Sequence, residues 1–272
     1  ALQAGLCKVA LVCYGSNQRT GKSAPPDMPP YEAPYNPREP ISSYAMAAAR
    51  HMHDYGKTRR QLAAVAVAAR QWAARNPIAF IRDPLSIDQV LASRMVCDPL
   101  SVLDCCLVTD GAGAIVMTAA NRAKDMRTKP VYLLGCASAQ THRQISQMPD
   151  LTVTAAAQSG PRAFAMAKLA PRHVDVLQLY DAFTINVILF LEDLGFCKKG
   201  EAAAFVEGGA IAPGGSLPVN TNRGGLSCVH PGMYGIFTLI EAIEQLRGSA
   251  GARQVPGAEV ALAHGNGGFL SA

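Results

Sequence analysis

Three short stretches hold the side chains most able to do chemistry: "YDAF" at 180–183, "NRGGLSCVHPGMYG" at 222–235 and "HGNGG" at 264–268. In the second, Pro231 suits the first turn of a helix, which puts His230 at or just before the N-cap and Tyr234 four residues on, on the same face. A helix N-terminus disfavours a protonated imidazole, so His230 reads as a neutral proton acceptor. The same positive end would stabilise an enolate or oxyanion placed before it. Gly224 and Gly225 allow a ligand to approach the backbone closely. A bland alternative keeps His230 as a cap and Tyr234 as a core aromatic.

The first stretch ends a buried run, "HVDVLQLYDAF", where α/β sheets place their ligands. Tyr180 can donate to a carbonyl oxygen or shuttle a proton. Asp181 is either part of that site or the N-cap of the following helix. The third stretch also follows a strand. His264 is a candidate base and Asn266 a candidate oxyanion donor, while Gly265, Gly267 and Gly268 let the chain turn sharply and expose N–H groups. Three polar clusters at strand ends and helix starts of one unit predict a single site.

The elements that must position these residues follow from hydrophobic period and breakers. "CKVALVCYG" reads as a buried strand. Residues 17–41 carry seven prolines (Pro25, Pro26, Pro29, Pro30, Pro34, Pro37 and Pro40), which forbids regular structure and implies an ordered excursion or lid. Helices are predicted over "SSYAMAAARHMHDYG", with Ser42 and Ser43 as caps and Gly56 as stop, over "TRRQLAAVAVAARQWAARNP" from Thr58, and near "SIDQVLASRM". "DCCLVTDGAGAIVMTAANRAKDM" reads as a strand pair turning at Asp110–Gly113. From residue 129 strands and helices alternate: an Ala-rich helix in "VTAAAQSGPRAFAMAKLA" that Gly160–Pro161 should start or kink, the strand before Tyr180, the helix "TINVILFLEDLGF", the helix from Pro231, and a final strand "EVALAHG". That alternation predicts α/β layers. "VALVCYGS" and "VALAHGNG" echo one another as strand plus glycine turn, as expected of a duplicated fold.

Composition narrows the rest. With 272 residues, 49% hydrophobic and 17% charged, the chain can bury a sizeable core. The net charge of +5 is scattered; its one dense cluster, Lys57, Arg59 and Arg60, reads as a solvated helix start and not a nucleic-acid patch, though anionic cofactors remain compatible. The eight cysteines lie mostly in apolar runs, without CxxC or zinc-ligand spacing, which predicts buried thiols, a reducing compartment and no metal. No apolar run is long enough to span a membrane and no basic leader opens the chain, so a cytoplasmic protein is expected. The chain starts on a helix stub and stops after a turn, as a segment of something longer would.

The ordered set YDAF, NRGGxSxxHPxG and HGNGG resembles the C-terminal half of the thiolase superfamily, in its lipid-transfer-protein or sterol-carrier-protein thiolase-like branch. The resemblance implies duplicated βαβαβαββ layers stacked α-β-α-β-α, lacking the N-terminal part and last strand. It implies residues 1–127 as the end of one half, with a loop domain over 17–90, and 128–272 as the other half. Members of the superfamily place a nucleophilic cysteine upstream of the first strand here, and a second one in a CxG turn where this chain has His264. Tyr180 replaces their His or Asn, and Val229 the glycine before the HP pair. "YDAFT … VHPGMYG" resembles more closely the bacterial steroid side-chain aldolases of this branch. That resemblance implies retro-aldol cleavage of a β-hydroxyacyl coenzyme A thioester, with Tyr180 and Tyr234 handling the hydroxyl proton and the enolate and His230 assisting. It further implies no covalently bound cofactor, a homodimer and a small DUF35 (OB-fold) partner. Alternatives are an acyltransferase with an upstream nucleophilic cysteine, and a non-catalytic lipid or acyl-CoA binding or scaffold subunit.

Overall fold

The computed structural model describes residues 1–22 and 30–271; Pro25, Pro26 and Pro29 lie outside the described residues. The chain runs β1 (Val9–Ser16), α1 (Gln18–Gly21), α2 (Ile41–Tyr55), α3 (Arg59–Ala73), α4 (Ile87–Ala92), β2 (Met95–Cys97), β3 (Leu100–Ser101), β4 (Gly111–Thr118) and α5 (Ala120–Ala123). It continues α6 (Ala156–Ala167), β5 (Val176–Leu179), α7 (Thr184–Asp193), α8 (Ala202–Glu207), α9 (Gly224–Ser227), α10 (Gly235–Arg247) and β6 (Ala261–His264).

β5 and β6 pair in parallel, Leu179 opposite His264, so "YDAF" and "HGNGG" leave neighbouring strands at the same end. Every residue of helix α7 is buried, with an apolar run from Val187 to Leu191, which makes it the centre of the core. Its two terminal acids are matched: Glu192 accepts from His51 Nε2 at 3.0 Å and from the Gly200 amide at 2.9 Å, while Asp193 accepts from the Thr154 amide and hydroxyl at 2.7 Å. Buried carboxylates without such donors would be strongly destabilising. Helices α2 and α3 join the same core through Tyr44, Leu62, Val65 and their alanines. Trp72 of α3 is buried and donates through Nε1 to the Ile211 carbonyl at 3.0 Å.

Gly56 and Thr58 act as predicted. Gly56 ends α2 in the left-handed region (φ 62°), and Thr58 forms a capping box with Gln61 at the start of α3. Arg59 and Arg60 do begin that helix, yet they are engaged: Arg59 Nε donates to the Pro99 carbonyl at 3.0 Å and Arg60 pairs with Glu207 at 3.3 Å.

Several expectations are corrected. β1 is a strand, but Leu11 is 65% exposed and Val9 and Val12 are exposed as well. Its partner is the distant β4, antiparallel from Val9–Thr118 to Ser16–Gly111. No strand pair turns at Asp110–Gly113: Asp110 accepts from the Arg19 and Thr20 amides at 2.9 and 3.1 Å, which holds α1 against the entry to β4. α2 begins at Ile41 with Pro40 before it, and Ser42 and Ser43 bond to Arg38 and Glu39 instead of capping. α6 begins at Ala156, before Gly160, so the Gly160–Pro161 pair lies inside the helix and does not start it. Of the eight cysteines only Cys228 is buried, and Cys13 and Cys136 are exposed; apolar neighbours in sequence did not translate into burial on these edges.

Candidate functional site

Tyr180, Asp181, His230 and Tyr234 converge beyond the end of β5. The Tyr180 ring stands edge-on to His230 at 5.6 Å and to Tyr234 at 5.8 Å, while His230 and Tyr234 stack at 6.4 Å. Tyr180 and His230 are 7% and 8% exposed and Tyr234 is 0%, so Tyr234 lies beneath the other two. Phe237 stacks behind it at 5.7 Å.

The helix that follows starts later than the sequence suggested. α10 begins at Gly235 with Tyr234 at its N-cap, and residues 231–234 form a bend in which Gly232 takes φ 89°. His230 therefore stands outside the reach of this helix terminus. It is neutral nonetheless, because burial pulls its pKa down to about 4. Its backbone is clamped by Thr109: the His230 amide donates to Thr109 Oγ1 at 2.9 Å and the Thr109 amide to the His230 carbonyl at 3.2 Å. Its Nε2 is buried with no partner among the described residues.

Asp181 does not cap the helix after it; Phe183 occupies that position. It caps α9 instead, accepting from the Gly225 amide at 2.6 Å and the Leu226 amide at 3.4 Å. Burial pushes its pKa up to about 7 against the pull of those two amides. Gly224, at φ 60°, could carry no side chain, since a Cβ there would sit 1.8 Å from Asp181 Oδ2. A Cβ on Gly225 would meet His230 Cδ2 at 2.9 Å and Cys106 Cβ at 3.3 Å. The glycine pair thus serves the closeness of strand end and loop.

The phenols are held neutral. Burial drives both tyrosine pKa values well above the ordinary range. Tyr234 donates to Asn222 Oδ1 at 2.8 Å, an oxygen that also receives the Gly224 amide at 2.9 Å. Tyr180 donates to the Gly232 carbonyl at 3.4 Å, a long bond that a better acceptor would displace. Behind the loop, the fully buried Arg223 donates to the Ala73 and Asn76 carbonyls at 3.2 and 3.1 Å, closing the C-terminus of α3. Burial lowers its pKa to about 10.

His264 and Asn266 lie at the end of β6, the strand paired with the one that carries Tyr180. The His264 carbonyl accepts from the Tyr180 amide at 3.1 Å, but its ring lies against Phe190 of α7 at 4.3 Å, and burial lowers its pKa to about 4. Asn266 gives one hydrogen of its amide nitrogen to the Tyr44 hydroxyl at 2.8 Å. A Cβ added at Gly265 would meet nothing within 4 Å. Gly267 accepts through its carbonyl from the Ser271 amide at 3.3 Å, and Gly268 takes φ 55°. Sequence reasoning missed Tyr44, Cys106, Thr109 and Asn222, which come from distant segments or look like ordinary loop polarity. No group of three His, Cys, Asp or Glu side chains suited to a metal occurs among the described residues.

Residues 137–272 match the family described as thiolase C-terminal domain-like. The chain belongs to the thiolase superfamily. Its fold is the thiolase-like α/β fold, and its place is the sterol-carrier-protein thiolase-like branch. An acetyl-CoA acetyltransferase of Methanothermobacter thermautotrophicus is 42% identical over 229 residues, which cover 84% of this chain and 60% of the relative. The 17-hydroxy-3-oxo-4-pregnene-20-carboxyl-CoA lyase of Mycobacterium tuberculosis is 39% identical over 226 residues, covering 81% of this chain and 58% of the relative. The solved structure of an Ltp2-ChsH2(DUF35) aldolase superposes with a TM-score of 0.87 at 31% identity, across 97% of this chain and 72% of that one. This thiolase-superfamily chain spans less than two thirds of the length of the two relatives.

Proposed function

We propose that the chain carries catalytic residues of an acyl-CoA carbon–carbon lyase working by a retro-aldol step. The observation that carries this reading is the meeting of two neutral phenols and a neutral, unpartnered imidazole at one strand end. In this reading the proton of a β-hydroxyl passes to His230 Nε2 as the Cα–Cβ bond breaks. The electron pair of that bond becomes the thioester enolate, and the hydroxyl carbon leaves as a carbonyl product. Tyr180, whose bond to Gly232 is weak, donates to the enolate oxygen, and protonation of the α-carbon completes a shorter acyl-CoA. Tyr234, already donating to Asn222, offers its oxygen as a hydrogen-bond acceptor from below and orients the hydroxyl whose proton His230 takes. Asp181 holds the glycine loop in place.

The likeness to the Ltp2-ChsH2(DUF35) aldolase supports a DUF35-type partner. Under the same reading the whole protein is a cytoplasmic homodimer with coenzyme A thioesters as substrate and no covalently bound cofactor. No helix among the described residues is long and apolar enough to cross a membrane, and all eight cysteines are free. The identity to an acetyl-CoA acetyltransferase favours a second reading, acyl transfer through a nucleophile supplied elsewhere in the whole protein. Intact-mass analysis of the full-length protein with short and steroid-like acyl-CoAs separates the two. A shorter acyl-CoA without a protein adduct supports the lyase, and a stable acyl adduct supports the transferase.

A further inference from the structure

The half-buried Tyr14 reaches from β1 to the bend before α10, where its hydroxyl donates to the Pro231 carbonyl at 2.6 Å. Tyr14 stands opposite Gly113 in the β1–β4 register, so the two share a face of the sheet. A Cβ on Gly113 would meet Ile240 Cδ1 at 2.6 Å and Ile236 Cγ2 at 3.4 Å. The absent side chain lets α10 settle onto β4, and that close approach brings the bend within reach of the phenol. Pro231 has no N–H, so this carbonyl is the only polar group of its backbone.

The bend is held carbonyl by carbonyl. The His230 carbonyl receives the Thr109 amide at 3.2 Å, the Pro231 carbonyl the Tyr14 hydroxyl, and the Gly232 carbonyl the Tyr180 hydroxyl at 3.4 Å. Two of these bonds come from outside the site and one from within it. At 3.4 Å the inner bond is too long to hold the bend in place. Gly232, at φ 89° and without a side chain, turns freely unless its neighbours restrain it. Tyr14 stands against it as well, since a Cβ built on Gly232 would lie 3.4 Å from the Tyr14 hydroxyl.

We propose that Tyr14 is a positioning residue: by pinning the Pro231 carbonyl it sets the Gly232 carbonyl, and that carbonyl aims the Tyr180 hydroxyl. Its effect on turnover rests on the lyase reading, in which Tyr180 donates to the enolate; the pin itself does not.

The test uses the full-length protein and a short 3-hydroxyacyl-CoA. Tyr14→Phe keeps the ring and removes only the hydroxyl. It should lower kcat by about tenfold and leave KM in place, because a misaimed donor slows the reaction while Tyr14 touches backbone and not substrate. A merely structural role would lower the melting temperature and leave the kcat of the folded protein alone. Tyr14→Phe combined with Tyr180→Phe should be no slower than Tyr180→Phe by itself, since the first acts through the second. In a crystal structure of Tyr14→Phe the Gly232 carbonyl should have left the reach of Tyr180. Unchanged kcat, rate losses that multiply in the double variant, or a Tyr180–Gly232 bond kept in the variant overturns the proposal. A displaced carbonyl, with no cleavage of the thioester by the unaltered protein, keeps the pin and removes the lyase reading.

Discussion

Oδ1 of Asn222 receives two hydrogen bonds at once, from the Tyr234 hydroxyl at 2.8 Å and from the Gly224 amide at 2.9 Å. One acceptor thereby ties the deepest phenol to the loop that carries His230. Asn222→Ala leaves both buried donors unpaired and should cost about 1–3 kcal/mol, with at least a tenfold fall in kcat. Asn222→Asp keeps the acceptor and should recover most of the stability. Denaturant midpoints with steady-state rates on both variants check this.

Gly224→Ala should be far worse than Gly225→Ala. At Gly224 the new methyl meets the Asp181 carboxyl, and the left-handed backbone is itself unfavourable for alanine. At Gly225, where φ is not positive, it meets the edge of His230 at 2.9 Å and the Asp181 carbonyl at 3.1 Å, closer than ordinary contact but less severe than at Gly224. The first variant should lose stability by more than about 2 kcal/mol. The second should fold and lose mainly turnover, as thermal melts and kcat would show.

Tyr180→Phe and Tyr234→Phe should both lower kcat by about 10²–10⁴, the range of general acid–base catalysis. They should differ in stability. Loss of the 2.8 Å bond to Asn222 costs about 1 kcal/mol or more, whereas loss of the 3.4 Å bond from Tyr180 costs little. Equal destabilisation would contradict the two geometries.

His230 and His264 fold as neutral rings with pKa values near 4, against an ordinary 6.5. Between those values the unfolded chain takes up protons that the folded one refuses, so each ring removes stability as pH falls from 6.5 towards 4. Asp181 acts the other way. Its folded pKa of about 7, against 3.8, means that the folded chain holds a proton the unfolded one releases, and stability declines as pH rises between those values. Asp181→Asn should remove that decline and steepen the net loss on acidification. Denaturant midpoints measured from pH 4 to 8 on both proteins would reveal it.

Cys106 touches the site from the β4 side, and burial raises its thiol pKa well above the ordinary range. It is therefore a poor nucleophile at neutral pH. Cys106→Ala should keep turnover within about threefold, roughly the effect of a small packing change. Complete loss in steady-state assays would instead put a thiol in the reaction.

Much of the site was legible because local chemistry announced it. A glycine pair before a histidine, and a tyrosine–aspartate at the end of an apolar run, are readable without a structure. What was not legible depends on distant segments. Asp181 binds amides 44 and 45 residues away instead of capping its own helix, and no local pattern distinguishes the two uses. His230 is neutral as expected, but through burial and not through a helix terminus, because α10 starts at Gly235. His264 and Tyr180 sit at adjacent strand ends, yet the imidazole turns to Phe190, which the period of two hides until register is known. The exposure of β1 likewise escapes sequence, since an apolar run looks the same whether or not something covers it.

The tie between Trp72 and the Ile211 carbonyl gives the protein a built-in optical probe. As the single tryptophan, Trp72 accounts for nearly all indole emission, and it is buried where α3 meets the chain that follows α8. Lifting α2 and α3 away from α7 would wet that indole and shift its emission to the red. Fluorescence of the unlabelled protein therefore reports directly on whether these helices stay seated while thioesters come and go.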